Sequence, residues 1–176
     1  MRFNQNDMEK IINNISYSSK QLEAIEKALL EPITIVTGGP GTGKSTVIKG
    51  IIEAFSSLYN KKDLVKSEIF LLAPTGRAAK RMTETTGLRA STIHRFLKWQ
   101  RDTNKFQVNE YNKSRVEFVI LDEASMVDTY LMAALLKGIS ANCKIVMVGD
   151  DHQLPSVGPG QLLHDLIESE KLSVVK

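Results

Sequence analysis

The stretch Ile33–Thr46, ITIVTGGPGTGKST, constrains this sequence more than any other. It opens with a short apolar, β-branched run, which is typical of a buried strand. The run leads into Gly38–Ser45, which satisfies the phosphate-binding pattern G-x-x-x-x-G-K-[ST]. An amphipathic helix is predicted next, because apolar side chains recur on one face from Val47 to Phe55. Strand, glycine loop and helix in this order are the context that the motif requires, so the stretch predicts a site for nucleotide phosphates.

The chemistry of this loop follows from its residue types. Its glycines let successive backbone amides converge on one anion, and the positive end of the following helix strengthens the site. Lys44 is expected to reach the β- and γ-phosphates, and the Ser45 hydroxyl to hold Mg²⁺, a hard cation that prefers oxygen. The alternative, a glycine-rich turn without a ligand, is disfavoured by the complete motif in its context. The nucleotide-binding residues predicted in the loop are Gly39, Pro40, Gly41, Thr42, Gly43, Lys44, Ser45 and Thr46.

Length and composition predict one globular domain with a real core. The chain has 176 residues, of which 42% are hydrophobic and 24% charged. We expect residues 1–16 to form a polar N-terminal arm or helix and residues 17–176 the domain itself. The net charge of +3 permits an anionic partner without requiring one. No apolar run is long enough for a membrane span, the N-terminus does not resemble a signal peptide, and Cys143 is the only cysteine. These features indicate no membrane partner and a cytoplasmic location.

The segment before the phosphate loop has two interpretations. Ser18–Leu30 reads as a helix with an apolar face. Gln21 stands three residues after Ser18, the spacing of a capping box in which the glutamine closes its own helix N-terminus. Alternatively, its amide faces the nucleotide base. On the residues alone the cap is favoured.

A second apolar strand, Ile69–Ala73, is predicted to end in the basic segment Pro74–Arg81. Such a turn places backbone amides and cations at the carboxyl end of a strand, where ligands bind to open parallel sheets. A solvated basic helix face is an equally good interpretation of this segment. Gly87 is expected to end the helix.

The next segments are less informative. Ala90–Trp99 is predicted to be a short helix with Ile93, Phe96 and Leu97 inward, on which His94 reads as a packing or capping residue. Gln100–Arg115 is polar and predicts a hairpin or a mobile connection. Its interspersed aromatic residues could stack on bases, although a solvated connection is favoured.

Two acids follow the third predicted strand, Val116–Leu121. This strand is continuously apolar, the pattern of a parallel strand covered on both faces. Asp122 and Glu123 stand at its end, where buried acids are costly unless they hold a cation or orient a water molecule. A helix N-cap would explain Asp122 but not its coincidence with a phosphate loop. The pair therefore predicts the acidic half of a nucleoside-triphosphatase site.

The fourth predicted strand, Lys144–Val148, opens into a loop rich in glycine and proline. In that loop, Gln153 carries a neutral amide that could bond a γ-phosphate oxygen in one nucleotide state and release it in another. Met126 and Met132 are predicted to fill the core. Cys143 is predicted to be an inert buried thiol.

Five stretches together resemble one family. They are TGGPGTGKST, LLAPTGRAAKRM, ASTIHRFL, VILDEASMVD and VGDDHQLPSVGPG, and they resemble motifs I, Ia, Ib, II and III of superfamily 1 helicases. The residues of the second, fourth and fifth stretches, APTGRAAKR, DEASMVD and QLPSVGPG, are most similar to those of RecD-like 5′→3′ DNA helicases. The resemblance runs from about Gln21 to Ile167 in the order of the family, which is far more specific than the phosphate loop alone.

The resemblance implies a fold and a function. The fold is a RecA-like P-loop NTPase of the α/β class, with a mainly parallel central sheet and helices on both faces. The function is that of an ATP-dependent 5′→3′ DNA helicase motor domain that uses ATP and Mg²⁺ and moves on single-stranded DNA. Implied partners are a second, arginine-bearing motor domain in cis and subunits of a recombination or repair complex.

The resemblance also implies roles for individual residues. Gln21 matches the position that contacts adenine, which now favours that role over the cap. Lys44 and Ser45 hold phosphates and Mg²⁺, with Asp122 helping to fix the metal. Glu123 polarises the attacking water, and Gln153 senses the γ-phosphate, so that Lys44, Glu123 and Gln153 form the catalytic set. The residues implied to touch single-stranded DNA are Pro74, Thr75, Arg77, Thr92 and His94.

Two other functions share the phosphate loop. A P-loop small-molecule kinase needs an acceptor site and a lid, and the sequence offers no obvious candidate for either. An ATP-switched nucleic-acid-binding module needs no turnover at all. Hydrolysis measured with and without an oligonucleotide separates all three.

Overall fold

The computed structural model describes residues 17–38, 43–59, 69–150 and 173–175. The strands in these ranges are β1 Ile33–Thr37, β2 Ile69–Ala73, β3 Ala90–Thr92, β4 Trp99–Gln100, β5 Lys105–Phe106, β6 Phe118–Leu121, β7 Lys144–Gly149 and β8 Ser173–Val175. The helices are α1 Ser19–Leu30, α2 Lys44–Tyr59, α3 Gly76–Thr86, α4 Ile93–Phe96 and α5 Thr129–Gly138, with a 3-10 turn at Ala124–Met126.

Six strands form one parallel sheet in the order β3-β2-β6-β7-β1-β8. Every neighbouring pair in it runs parallel, so the carboxyl ends of its strands lie along one edge. Strand β7 separates β1, which leads into the phosphate loop, from β6, which leads into the acids. Strands β4 and β5 pair separately as an antiparallel hairpin.

The sheet is covered on both faces, as the sequence predicted. Strand β6 shows the division, because its side chains alternate between two cores. Phe118 and Ile120 join the core beneath α1, α2 and Met82 of α3. Val119 and Leu121 join the core beneath α4, α5 and the hairpin. All four side chains are buried, which explains the unbroken apolar run in this strand.

The ends of the helices carry the local signals that the sequence contains. Ser18 and Gln21 form a complete capping box at the start of α1. At its other end, the Lys144 ammonium donates to the carbonyl of Leu29, which satisfies one of the free carbonyls there. Helix α3 ends at Gly87, whose φ of 73° is the left-handed conformation that favours glycine.

The prediction of a helix over Ala90–Trp99 is wrong in part. Residues 90–92 form β3, which pairs with β2 at the edge of the sheet, and only Ile93–Phe96 is helical. All three residues of β3 are half-buried, so they show no alternation of apolar and polar side chains that would predict a strand. Their strand conformation comes from pairing with β2. Ile93 and Leu97 are buried as predicted, while Phe96 is half-buried against Phe70.

Two further predictions fall on this part of the fold. The segment Gln100–Arg115 contains β5 and continues the hairpin, so the hairpin interpretation is confirmed.

Met132 is 3% exposed as predicted, but Met126 is 45% exposed and does not fill the core. It is exposed because it ends the 3-10 turn before α5 begins.

Cys143 is buried at the start of β7, and burial raises the pKa of its thiol to about 11. A protonated, buried thiol is a poor nucleophile, in keeping with the inert role predicted for it. Among the described residues, no helix combines the length and the apolar character that a bilayer crossing requires.

Candidate nucleotide site

The candidate site lies where the parallel strands end. Strands β1, β2, β6 and β7 are in register, with Leu72 beside Leu121 and Thr37 beside Gly149. The segments that leave these strands therefore share one edge of the sheet, the edge at which open α/β sheets bind ligands. The predicted site residues that the structure describes, apart from Gln21, either follow one of these strands or β3 or, in the case of Thr92, end β3.

The described part of the phosphate loop has the expected geometry. Gly43 adopts a φ of 82°, a conformation that side-chain-bearing residues rarely take, and helix α2 begins at the next residue. The Lys44 ammonium donates to the carbonyl of Gly38 at 2.7 Å, so it lies folded over its own loop. Ser45 and Thr46 stand in the first turn of α2. Four predicted residues, Gly39, Pro40, Gly41 and Thr42, lie outside the described residues.

Gln21 serves the helix cap and also contacts the phosphate loop. Its side-chain carbonyl accepts from the Ser18 amide at 3.0 Å, and its side-chain amide donates to the Gly43 carbonyl at 3.4 Å. Gln21 and Lys44 line one cavity of about 240 Å³ that also exposes apolar surface, including Val36. The two interpretations of Gln21 are therefore compatible, because the cap holds the side chain beside the loop.

The two acids are held by the backbone at the end of β6. The Asp122 amide donates to the Leu72 carbonyl at 2.9 Å, which fixes the acid against β2. The Asp122 carboxylate accepts from the Glu123 amide at 2.8 Å. Glu123 has φ 50° and ψ 40°, so a residue with a side chain is held in the left-handed region. Strain of this kind concentrates at functional sites, where surrounding contacts over-determine it.

Ser45 and Asp122 line a second, small cavity between α2, α3 and the end of β6. Burial raises the pKa of Asp122, against the lowering effect of the Glu123 amide and of the cations Lys44 and Arg81. Each of these partners favours the ionised carboxylate that a cation would bind. A hydroxyl and a carboxylate facing one cavity are hard oxygen donors, which fits Mg²⁺ with phosphate and water oxygens completing its shell. The described residues contain no cluster of three His, Cys, Asp or Glu side chains.

The residues predicted to touch DNA follow β2 or lie at and just after the end of β3. Thr75 is the N-cap of α3 and accepts from the Ala78 amide at 3.2 Å, and Arg77 is exposed one residue into the helix. Pro74, between β2 and this cap, is half-buried. Thr92 caps α4 in the same way, accepting from Arg95. The two caps explain why a threonine stands at each strand end, and both threonine side chains are used locally.

His94 belongs to an aromatic group that it forms with the hairpin and helix α5. Its ring lies 6.0 Å from Trp99 and 5.8 Å from Phe106, and those two rings are 4.6 Å apart. Tyr130, on α5, extends the group at 6.5 Å from Phe106. The packing interpretation of His94 thus has direct support, although its side chain is exposed.

Sequence reasoning missed two features of this edge. Asp150 follows β7 as Asp122 follows β6, and it is only 3% exposed. An acid directly after an apolar strand was the available signal. The second feature is a contact between Arg81 Nη1 and Glu123 Oε1 at 3.6 Å. The two residues are far apart in the sequence, so their spacing could not predict the contact. Gln153, the predicted γ-phosphate sensor, lies outside the described residues.

Comparisons with known proteins give the family. A family model described as an AAA domain matches residues 21–159. The chain is 35% identical to the RecBCD enzyme subunit RecD of Mycolicibacterium smegmatis over 166 residues, which cover 85% of this chain and 30% of that protein. It is 36% identical to the ATP-dependent RecD2 DNA helicase of Deinococcus radiodurans over 143 residues, 81% of this chain and 19% of that protein.

Among solved structures, the Pif1 helicase from Candida albicans is similar, with a TM-score of 0.58 and 26% sequence identity. The match covers 81% of this chain and 34% of that one. The chain thus spans about a third or less of the length of these relatives. The match to the family model covers most of the chain and contains the phosphate loop, the acids and the segments after β2 and β3. The chain therefore belongs to the AAA domain family, and over most of its length it is similar to part of each of these RecD, RecD2 and Pif1 proteins.

Proposed function

We propose that residues 17–176 form the nucleotide-binding motor domain of a DNA helicase that hydrolyses ATP while moving 5′→3′ on single-stranded DNA. The observation that carries the proposal is the meeting of Ser45 and Asp122 at one cavity. It brings the phosphate-loop helix and the acid-bearing strand end together, as phosphoryl transfer requires. The name of the Deinococcus relative, an ATP-dependent DNA helicase, supports the same reaction.

The side chains divide the work of hydrolysis. Lys44 leaves the Gly38 carbonyl to neutralise the β- and γ-phosphates, and the loop amides hold the remaining phosphate oxygens. Ser45 and Asp122 hold Mg²⁺, which supplies charge neutralisation for the transferred phosphoryl group. Glu123 orients the attacking water and accepts its proton. In this proposal the Gln21 amide contacts the adenine, and Gln153 senses the γ-phosphate.

Single-stranded DNA lies across the segments that follow β2 and β3. Pro74, Thr75 and Arg77 provide one set of contacts, and Thr92 and His94 the other. Because both threonine side chains already cap helices, we assign most of the phosphate contacts to Arg77 and to backbone amides of these turns. A second motor domain in cis closes the nucleotide cleft from the opposite side. The name of the Mycolicibacterium relative, a RecBCD enzyme subunit, supports recombination or repair proteins as partners.

The nucleotide site is tested by a pair of substitutions. Lys44→Ala should abolish binding of Mg·ATP, because it removes the mobile cation that faces two phosphates. Glu123→Gln should retain binding and stop turnover, because an amide cannot accept a proton from water. Titration calorimetry measures the first effect and single-turnover phosphate release the second.

The outcomes also separate the competing functions. Equal ATP affinity for the wild type and Lys44→Ala would exclude the assigned phosphate site, and normal hydrolysis by Glu123→Gln would exclude the role of the acid. Phosphate release that an oligonucleotide stimulates supports the motor. Binding of oligonucleotide that changes with nucleotide, without turnover, would favour an ATP-switched module. Transfer of the γ-phosphate to a small acceptor instead of water would indicate a kinase.

A further inference from the structure

The ion pair between Arg81 and Glu123 ties helix α3 to the acid proposed to activate water. Arg81 Nη1 lies 3.6 Å from Glu123 Oε1, and the residues belong to different elements. The other ion pair among the described residues, Lys27 with Glu23, links successive turns of one helix. The contact at Glu123 therefore fixes a relation between α3 and the end of β6.

Arg81 occupies the corner of the site where the reaction is proposed to occur. It lines the same small cavity as Ser45 and Asp122. The guanidinium attracts this Glu123 oxygen toward α3 and competes with a water molecule for it. The contact thus biases the orientation of the Glu123 carboxylate toward α3.

The same arginine faces the proposed path of nucleic acid. Arg77 stands four residues before Arg81 on α3, so the two side chains share a face of the helix. The Arg81 side chain is 68% exposed and the Glu123 side chain 29%. Ion pairs this exposed are weak, while a guanidinium binds phosphate oxygens well. A strand whose phosphates reach Arg77 can therefore compete for Arg81.

We propose that Arg81 is a positioning residue shared between two anions: the Glu123 carboxylate in the free chain and a phosphate of single-stranded nucleic acid in the bound chain. Binding of the strand releases Glu123 to orient water, which couples nucleic acid to turnover at this site. The proposal rests on the proposed function and names the device by which one ligand affects the other.

A double-mutant cycle tests the sharing without relying on activity. The affinity of the 176-residue chain for a fluorescein-labelled oligodeoxythymidine is measured by anisotropy, without nucleotide. The proteins are the wild type, Arg81→Gln, Glu123→Gln and the double variant. Removing the acid should tighten binding up to about fivefold while Arg81 is present, since exposed ion pairs are weak, and should have little effect in the Arg81→Gln background.

The matched control separates this coupling from a general change in charge. Arg89 is exposed just beyond the end of α3 and makes no ion pair with a described residue. Combining Arg89→Gln with Glu123→Gln should give multiplicative effects, because both substitutions then act only through the overall field. Arg81→Gln should also lower the salt dependence of binding, by roughly 0.7 in the log–log slope for one lost phosphate contact on a single strand.

The rate of ATP hydrolysis is a second measurement, which would not change if Arg81 only stabilised the fold. Without nucleic acid, Arg81→Gln should show a higher single-turnover rate than the wild type at unchanged ATP affinity, and Arg81→Lys should keep most of the restraint. A lower rate for Arg81→Gln would show that the arginine assists catalysis and would overturn the proposal. A multiplicative Arg81–Glu123 cycle in a chain that binds DNA would overturn it as well, leaving the proposed function intact. If the wild type binds neither Mg·ATP nor the oligonucleotide, both proposals fail.

Discussion

Among single residues, Glu123 combines a strained backbone conformation with a proposed role in catalysis. For an L-residue with a side chain, such as this glutamate, the left-handed backbone conformation costs about 1–2 kcal/mol relative to the right-handed one. The Asp122 carboxylate and the Met126 amide, which donates to the Glu123 carbonyl at 3.0 Å, hold this conformation. A glycine would relieve the strain but would remove the carboxylate that the proposed reaction needs. We infer that the position is constrained by chemistry and not by folding.

Two substitutions separate these contributions. Glu123→Gly and Glu123→Ala both lack the carboxylate and its ion pair, and differ in whether a Cβ is held at positive φ. We expect the glycine variant to be more stable than the alanine variant by about 1 kcal/mol, because only glycine adopts this conformation without strain. Urea denaturation measures the difference, and both variants should fail to hydrolyse ATP. Equal midpoints would mean that the turn relaxes when the side chain is lost.

The sequence predicted which candidate residues stand at this edge of the sheet but not the contact between Arg81 and Glu123. Lys44, Ser45 and the two acids could be found because motif spacing and strand ends fix where such residues must lie. The pairing of Arg81 with Glu123 depends on how α3 packs beside β6, which is a tertiary relation with no local signal. The backbone conformation of Glu123 was hidden for the same reason.

At the scale of elements, burial decides which strands the sequence reveals. Strands β2 and β6 are covered by helices, and their apolar runs predicted their positions closely. Strand β3 lies at an edge, its three residues are half-buried, and pairing with β2 alone makes it a strand. The helix ends were predictable where a cap residue was present, as at Ser18 and Gly87, since capping is a local interaction.

The N-cap of α3 gives a prediction that separates folding from DNA binding. Thr75→Ala should lower the free energy of unfolding by about 1 kcal/mol, because the Ala78 amide loses its acceptor. Thr75→Asp should restore stability, since aspartate caps well and favours the helix dipole. The added negative charge should nevertheless weaken binding of an oligonucleotide. Thermal unfolding and anisotropy provide the two measurements, and undiminished binding by Thr75→Asp would place the strand elsewhere.

The contact between α5 and the base of the hairpin gives another prediction. A Cβ at Gly138 would lie 2.8 Å from Leu97 and 3.2 Å from Val108, both buried side chains. Gly138→Ala should therefore destabilise the fold by about 1–2 kcal/mol, although alanine is the better helix former. Gly76→Ala is the matched control, because a Cβ there meets nothing within 4 Å. It should be neutral or slightly stabilising in urea denaturation, and a similar loss in both variants would contradict the close packing at Gly138.

In the molecule as a whole, the proposed function makes the described residues one wall of a nucleotide cleft. Lys44, Ser45, Asp122 and Glu123 all face the same edge of the sheet, and the proposed DNA segments lie along it. No arginine follows Glu123 in these 176 residues, and Arg81 is already paired with Glu123. Under the proposed function, such a wall binds nucleotide but supplies little positive charge to the transferred phosphoryl group.

These 176 residues alone should therefore bind Mg·ATP, hydrolyse it very slowly and leave duplex DNA intact. Unwinding by a two-domain motor requires a cleft that closes on ATP and moves two grips along the strand, and one wall provides one grip. A transition-state arginine from the opposite wall is worth on the order of a thousandfold in phosphoryl transfer. Strand displacement on a 5′-tailed duplex, measured beside phosphate release, tests this expectation. Lys44→Ala controls for contaminating helicase, and processive unwinding that disappears in this variant would show that a single wall suffices.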